Sequence, residues 1–327
     1  MPRWTMVQAI HTALAQELAA DRRVCLFGED VGRNGGVFRI TDGLQDEFGE
    51  ERVFDTPLAE AAIAGTAVGM AVYGLRPIVE IQFIPFAAYA FAQIVTQAAR
   101  IRYRSGGVFS VPLVIRGPFG GGVRTPEMHS DNFEAIFAHV QGVKVVIPSG
   151  PYDAKGLLHA AVADPDPVIF MEHMKLYRSI REEVPEERYE IPLGKANIVK
   201  AGADLTVISY GAMVHAARSA IATVEAQRPG TTIELLDLRT VAPLDEEAIA
   251  ASVTKTGRAV VVHEAARAGG LGAEVIAVIN ERALYSLLRP VVRVTAPDTP
   301  FPVPAVEDAI LPSPERIAQA ILATLEQ

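Results

Sequence analysis

Cysteine is almost absent from this chain of 327 residues, which contains only Cys25. A single cysteine excludes an internal disulfide, and its place in an apolar run favours packing within a strand. The N-terminal residues MPRWTMVQAI also lack the apolar core of a signal peptide and the Arg- and Ser-rich pattern of a transit peptide. We therefore expect a reducing compartment, the cytoplasm; a processed protein of the mitochondrial matrix would have the same composition.

Positive charge is in deficit, since 30 Lys and Arg residues face 39 Asp and Glu residues, for a net charge of −9. Without a basic surplus to neutralise phosphates, nucleic acid is not an expected partner. Long hydrophobic runs are missing as well. The uncharged run 61–75 is too short to span a bilayer, and the uncharged run 81–99 is interrupted by Gln82 and Pro85. Both are predicted to be buried elements, so no membrane partner is expected.

The familiar nucleotide-binding and hydrolase motifs are missing. The glycines of 33–37 lack GxGxxG spacing and no P-loop occurs, so neither a Rossmann site nor a P-loop site is expected. Ser130 beside His129 is not set in a nucleophile elbow, which argues against a hydrolase triad. The other histidines show no metal-ligand spacing and are interpreted as structural.

What is present is an alternation of short apolar runs with helical patterns. Half of the residues are hydrophobic, which indicates large surfaces buried in a permanent assembly. The length predicts two domains, and the apolar runs fit strands covered on both faces, as in a parallel sheet. The fold class is therefore α/β, with two layered α/β domains. The charged, proline-containing segment 181–188 is predicted to be the linker, which gives domains 1–187 and 188–327.

The predicted elements are as follows. In the first domain the strands are 24–27, 78–81, 113–115, 143–147 and 168–171, and the helices are 5–20, 60–73, 87–103 and 153–163. In the second domain the strands are 205–209, 233–236, 259–263 and 291–294, and the helices are 214–227, 245–252, 272–282 and 314–325.

Glu60 is the strongest candidate for a catalytic side chain. It closes the extended segment 54–60, directly before the nearly uncharged run 61–75. A carboxylate at the mouth of such an apolar block is predicted to be poorly hydrated, which raises its pKa and suits proton exchange near neutrality. The alternative is a structural role, in which the anion interacts favourably with the dipole of the first helical turn.

Other segments could take part in binding. Ala61, Gly65 and Gly69 share one helix face, which predicts close packing, either within the subunit or across an interface. Glu29 ends the first strand, where ligands of parallel sheets gather, although it could simply solvate a loop. A glycine-rich loop over 116–124 precedes His129, which could donate a proton or stabilise an anion.

Together these segments resemble the β subunits of the decarboxylating component of 2-oxo acid dehydrogenase complexes. The matching segments are 27–32, 54–60, 74–77, 111–118, 129–130, 152–157 and 237–240. They follow one another over nearly the whole chain.

The resemblance implies a pyrimidine-binding domain over 1–187 and a transketolase C-terminal-like domain over 188–327. It also implies an α₂β₂ heterotetramer that binds thiamine diphosphate between the α and β subunits. Glu60 would then hydrogen-bond N1′ of the aminopyrimidine. Other cofactor contacts would come from Glu29, Leu58, Gln82 and Phe86.

The resemblance also implies roles away from the pyrimidine. His129 would act in acyl transfer to the lipoyl group of the acyltransferase component. A structural potassium ion would be held, mostly by main-chain oxygens, near Leu113, Ala161, Val162, Asp164 and Asp166. The second domain would build contacts between β subunits and dock the acyltransferase component, with His263 and Glu264 interpreted as a plain strand end.

The Gly-Asp-Gly motif followed by paired asparagines, which holds Mg²⁺ and the diphosphate, is missing from this chain. An α subunit must therefore supply the Mg²⁺ site, and the chain is expected to be inactive alone. Pyruvate is the favoured small 2-oxo acid substrate, before branched-chain 2-oxo acids and acetoin, although Pro85 departs from the expected pattern. A regulatory or scaffolding subunit, a self-sufficient transketolase-like enzyme and a flavodoxin-like binding module are the alternatives.

Overall fold

The computed structural model describes residues 1–326, which form two large sheets flanked by helices and one small antiparallel pair of strands, β1 and β8. The strands are β1 (Arg3–Trp4), β2 (Val24–Gly28), β3 (Val53–Asp55), β4 (Arg76–Glu80), β5 (Val114–Phe119), β6 (Lys144–Val146), β7 (Val168–His173), β8 (Glu182–Glu183), β9 (Asn197–Lys200), β10 (Leu205–Ser209), β11 (Ile233–Asp237), β12 (Thr240–Ala242), β13 (Ala259–Ala266) and β14 (Val292–Ala296). The α-helices are α1 (Met6–Ala20), α2 (Leu44–Phe48), α3 (Glu60–Val72), α4 (Ala87–Gln93), α5 (Ile101–Arg104), α6 (Glu134–Ala138), α7 (Pro151–Ala163), α8 (Leu176–Ser179), α9 (Ala212–Gln227), α10 (Glu246–Thr256), α11 (Gly272–Ala283), α12 (Glu307–Ile310) and α13 (Pro314–Glu326).

The larger sheet has the strand order β12-β6-β7-β5-β4-β2-β3, and only β12 runs antiparallel to its neighbour. The second sheet has the order β14-β13-β10-β11-β9, with β9 antiparallel. Residues of β2 alternate between two core clusters: Val24 and Leu26 belong to one, Cys25 and Phe27 to the other. This alternation shows a sheet covered on both faces, which is why the residues of β2 are apolar on both sides.

Most predicted elements are present, but the helix predicted over 87–103 is wrong as a continuous helix. α4 ends at Gln93 and is followed by a π-helical stretch, Ile94–Ala98, before α5. Within it, the Thr96 hydroxyl donates to the Ala92 carbonyl at 2.6 Å. A side chain that competes for a backbone acceptor four residues earlier disturbs regular helix geometry.

The glycine-rich loop predicted from residue 116 begins later than expected, because Val114–Phe119 forms β5. Arg116 is fully buried in this strand, with Nε and Nη2 at 2.7 and 2.6 Å from the two Glu172 oxygens. Its Nη1 also binds Glu80, and the Tyr177 hydroxyl donates to Glu172 at 2.7 Å. Burial alone would lower the pKa of Arg116, but Glu172 and Glu80 raise it above its usual value.

The segment predicted as a linker is anchored rather than free. Lys155 Nζ donates to the carbonyl oxygens of Pro185, Glu186 and Glu187 at 2.6–3.0 Å. Beyond this segment, β12 returns to the larger sheet, pairing with β6. The domain boundary at 187/188 stays a prediction.

The resemblance segments 152–157 and 237–240 meet at the interface of the two sheets. Arg239 Nε and Nη2 donate to the two Asp153 carboxylate oxygens at 3.0 and 2.6 Å. Such a bidentate pair adds geometric specificity as well as energy, so it fixes how the two halves of the chain meet. No helix within residues 1–326 is long and apolar enough to cross a membrane.

Replacing Arg116 with Met should destabilise the protein strongly, because Glu80 and Glu172 would be left buried without their partner. We expect a loss of about 3–5 kcal/mol in the free energy of unfolding. Urea unfolding of the variant beside Arg104→Gln, a change at an exposed arginine, measures this. Equal stability of the two variants would contradict the assigned role.

Candidate functional site

The predicted cofactor residues lie at the carboxyl ends of three adjacent parallel strands, in the order β3-β2-β4. Glu29 follows β2, Leu58 and Glu60 follow β3, and Gln82 follows β4. Carboxyl ends of neighbouring parallel strands are the usual ligand edge of such a sheet. The structure therefore brings these side chains to one edge, as the resemblance implied.

The two loops at this edge are tied together by Asp55, at the end of β3. Its carboxylate accepts hydrogen bonds from the backbone N–H groups of Gly32 and Arg33, at 2.6 and 3.1 Å. Below it, the rings of Phe27 and Phe54 stack with centroids 4.8 Å apart. These contacts hold the segment before Glu60 against the loop that follows Glu29.

Glu60 begins α3, where it is half-buried rather than fully enclosed by an apolar block. α3 buries Ile63 and Ala64 against the core, whereas Ala61 is exposed and Leu58 leaves 67% of its surface open. The poor hydration predicted from the sequence is thus not provided by this chain alone. A covering partner surface would have to provide it.

Glu29 has a raised pKa, as expected of a carboxylate that exchanges protons near neutrality. Burial raises the pKa of Glu29, and the negative charges of Asp30 and Glu60 raise it further. Two acidic side chains thus influence each other at this edge.

The small-residue face of α3 is not tightly packed within the subunit. A Cβ at Gly65 would lie 3.6 Å from the Gln93 side chain, and one at Gly69 would meet nothing within 4 Å. Tyr73, at the end of the helix, is 89% exposed. Close packing inside the subunit is therefore wrong, and packing against another subunit stays a prediction.

His129 and Phe86, which lie far apart in the sequence, are in contact. Their ring centroids are 5.0 Å apart, and Phe83 approaches the imidazole at 4.5 Å, both edge to face. His129 Nδ1 lies 2.8 Å from the Glu127 carbonyl oxygen. The histidine thus stands beside the aromatic residue that the resemblance places next to the pyrimidine.

Glu264 is not a plain strand end, and the sequence analysis missed it. It lies buried within β13 and accepts from the Gly121 N–H at 2.6 Å, so the second domain contacts the glycine-rich loop. His173 lies 2.8 Å from its other oxygen. The only signal in the sequence was an acidic residue inside an apolar strand.

The residues proposed for potassium lie at the opposite, amino-terminal edge of the larger sheet. They are Leu113 before β5, Ala161 and Val162 in the last turn of α7, and Asp164 and Asp166 before β7. Arg76 donates to the Val162 carbonyl at 2.7 Å, and Lys144 pairs with Asp164. Arg102 also pairs with Asp166. Basic side chains thus already bind three members of this set, so the donor set fits a further cation poorly and the potassium site stays a prediction.

Known proteins match this chain over its full length. A family profile described as the transketolase pyrimidine binding domain matches residues 3–179, and one described as the transketolase C-terminal domain matches residues 194–317. Proteins named pyruvate dehydrogenase E1 component subunit beta are 57% identical in Staphylococcus epidermidis and 56% identical in Staphylococcus aureus, over 326 residues and 100% of both chains. The chain belongs to the pyruvate dehydrogenase E1 β-subunit family.

A solved structure supports the fold. The chain described as a split gene transketolase, inactive beta4 tetramer, superposes with a TM-score of 0.81 at 22% identity, covering 98% of each chain. The predicted α/β fold class, with a pyrimidine-binding domain followed by a transketolase C-terminal-like domain, is confirmed.

Glu134, which begins α6 shortly after His129, makes a pH-dependent contribution to stability. It is fully buried with the Tyr210 hydroxyl donating to it at 2.8 Å, and burial raises its pKa from 4.5 to about 7. The folded state therefore holds this proton more tightly than the unfolded chain. The resulting stability is fully present below about pH 4.5 and is lost as the pH rises through about 7.

Glu134→Gln removes this ionisation, so the free energy of unfolding should fall less between about pH 5 and pH 7.5 than in the wild type. Urea unfolding at both pH values, with the exposed Glu51→Gln as control, measures the difference. Burial also raises the pKa of Asp237 to about 7, so the free energy of unfolding should still fall with rising pH in every variant. An unchanged slope in Glu134→Gln would contradict the assignment.

Proposed function

We propose that this chain is the β subunit of a thiamine diphosphate-dependent pyruvate dehydrogenase. With an α subunit in an α₂β₂ heterotetramer, it would decarboxylate pyruvate oxidatively and transfer the acyl group to the lipoyl group of an acyltransferase component. The observation that carries the proposal is that the predicted cofactor residues share one edge of the sheet and that this edge is not closed by the chain itself: Glu60 is only half-buried and Leu58 is 67% exposed.

The names of the relatives favour pyruvate over a branched-chain 2-oxo acid or acetoin. A regulatory or scaffolding role would not require a carboxylate, an aromatic ring and a histidine at the same edge. The contact between Phe86 and His129 therefore supports an enzyme subunit.

The residues at the edge fit the aminopyrimidine part of the cofactor. Leu58 and the half-buried Phe86 offer apolar surface for the ring, and Glu60 offers a carboxylate for N1′. When bound, thiamine diphosphate supplies a carbon nucleophile and an electron sink. Glu60 would hold and exchange the N1′ proton, while Glu29 and Gln82 would contribute polar contacts.

The Mg²⁺ and diphosphate site is assigned to the α subunit. Over residues 1–326, His, Cys, Asp and Glu side chains form no group of three or more that could hold a metal ion. The ground for the assignment is the Gly-Asp-Gly motif with its paired asparagines, which this chain lacks. The half-buried Glu60 would then be covered by the α subunit, which would exclude water from its carboxylate.

His129 is assigned to the second half of the reaction. Its loop lies at the edge of the site, where the lipoyl group would enter, and its Nδ1 faces the Glu127 carbonyl. If that contact places the proton on Nδ1, Nε2 is left to exchange a proton during acyl transfer.

Substituting the two residues in the co-expressed heterotetramer should separate their roles. Glu60→Gln should lower both pyruvate decarboxylation, followed with an artificial electron acceptor, and lipoyl acylation by about 10²–10⁴-fold, because N1′ loses its proton-exchanging partner. His129→Gln should lower lipoyl acylation while leaving decarboxylation within about threefold, since only the later step uses the imidazole. Exposed Glu51→Gln is the control.

Full decarboxylation activity in Glu60→Gln would show that this carboxylate only stabilises α3, and the proposed site would be abandoned. If the wild type preferred a branched-chain 2-oxo acid, the proposed site would remain supported, but pyruvate would be wrong as the substrate.

A further inference from the structure

One carboxylate from the second domain closes the loop that carries His129, residues 120–133 between β5 and α6. Glu264 Oε1 accepts from the Gly121 N–H at 2.6 Å, where the loop leaves β5, and from Asn132 Nδ2 at 3.3 Å, where the loop returns. The two ends of the loop thus meet at a single oxygen atom. His129 lies between them.

Glu264 is held as an anion in a buried setting. Burial would raise its pKa, but the charge and hydrogen bond of His173 and the donors of Gly121 and Asn132 outweigh this and lower it. Glu264 is 4% exposed and His173 2%. Hydrogen bonds to an ionised acceptor are stronger than neutral ones, so the closure is stronger than ordinary loop contacts.

The loop needs this support because few contacts within it fix its shape. Arg124 and Met128 adopt left-handed φ values of 58° and 63°, which cost energy in residues other than glycine. The hydrogen bonds inside the loop are local: the hydroxyls of Thr125 and Ser130 pair at 2.5 Å, and His129 contacts the Pro126 carbonyl through its N–H at 3.3 Å and the Glu127 carbonyl through Nδ1 at 2.8 Å.

Gly120, the first residue of the loop, passes close to His173, the partner of Glu264. Gly120 has a φ of 83°, and a Cβ built on it would lie 2.3 Å from His173 Nε2. Only glycine lets the chain pass this close to the imidazole that faces Glu264. A second carboxylate, Glu307 of α12, binds the Gly122 N–H, so the second domain contacts consecutive residues of the loop.

We propose that Glu264 is a positioning residue that sets the place of His129 for acyl transfer to the lipoyl group. This inference rests on the role proposed above for His129. Glu264 acts through the loop, with His173 holding its second oxygen. The second domain would therefore control the acyl-transfer half of the reaction as well as subunit contacts.

The loop closure is separable from the contacts that hold the domains together. Arg239 and Asp153 pair elsewhere on the interface, and β12 pairs with β6 in the larger sheet. Removing the Glu264 carboxylate leaves both contacts in place. Its loss should therefore displace His129 more than it disturbs the fold.

The test compares Glu264→Ala with Glu264→Gln in the co-expressed heterotetramer. Alanine removes both acceptor oxygens, so lipoyl acylation should fall about 10- to 100-fold, with decarboxylation within about threefold. Glutamine keeps one acceptor for the Gly121 N–H and should recover much of the acylation rate. Asp308→Asn, at the exposed ion pair with Arg124, is the matched control and should leave both activities unchanged.

A double-mutant cycle with His129→Gln separates the possible failures. If Glu264 acts through His129, Glu264→Ala should lower acylation no further in the His129→Gln background. If His129→Gln alone leaves acylation unchanged, the proposed role of His129 fails. If His129→Gln lowers acylation but Glu264→Ala does not, the positioning role is overturned. It is also overturned if Glu264→Ala lowers decarboxylation and acylation equally.

Assembly of each variant is checked by size and by thermal unfolding. Should Glu264→Ala fail to assemble, His173→Gln carries the same test, because it removes the partner of the second Glu264 oxygen. A selective fall in acylation in His173→Gln would support the inference, and wild-type acylation in it would overturn it.

Discussion

The geometry of the site depends on one buried charge network in the middle of the larger sheet. Arg116 in the middle of β5 binds Glu172 and Glu80 near the carboxyl ends of β7 and β4, so the register of three strands is fixed. Any slip of register would leave a buried charge without its partner, which is far more costly than losing an apolar contact. The β4 end leads to Gln82 and the β5 end leads to the His129 loop, so the network sets where both parts of the site begin.

Under the proposed function, this chain offers one side of a catalytic site and leaves it open. Glu60 stands at the surface beside exposed Leu58, and the face of α3 around Gly69 is unfilled. The apolar composition, the exposed small-residue face and the missing diphosphate motif all have the same explanation if an α subunit covers this edge. Burial in the heterotetramer, rather than in the single chain, would then give Glu60 its chemistry.

How much could be read from the sequence depended on how local each signal is. Strands such as Leu205–Ser209 were predicted because short apolar runs between turns are local, and the helix start at Glu60 was predicted because it lies at a boundary between two patterns. Arg116 was assigned to a loop, since a lone charge gives no sign of partners 36 and 56 residues away. Glu264 was missed because its role requires closure with Gly121 over 143 residues.

The most direct test of the shared site is calorimetric titration of thiamine diphosphate with Mg²⁺, first into this chain alone and then into the chain co-expressed with an α subunit. The account predicts Mg²⁺-dependent binding only in the co-expressed sample, because this chain supplies the pyrimidine side of the site. Tight, Mg²⁺-dependent binding by the chain alone would contradict it, since a complete diphosphate site would then lie within these 327 residues.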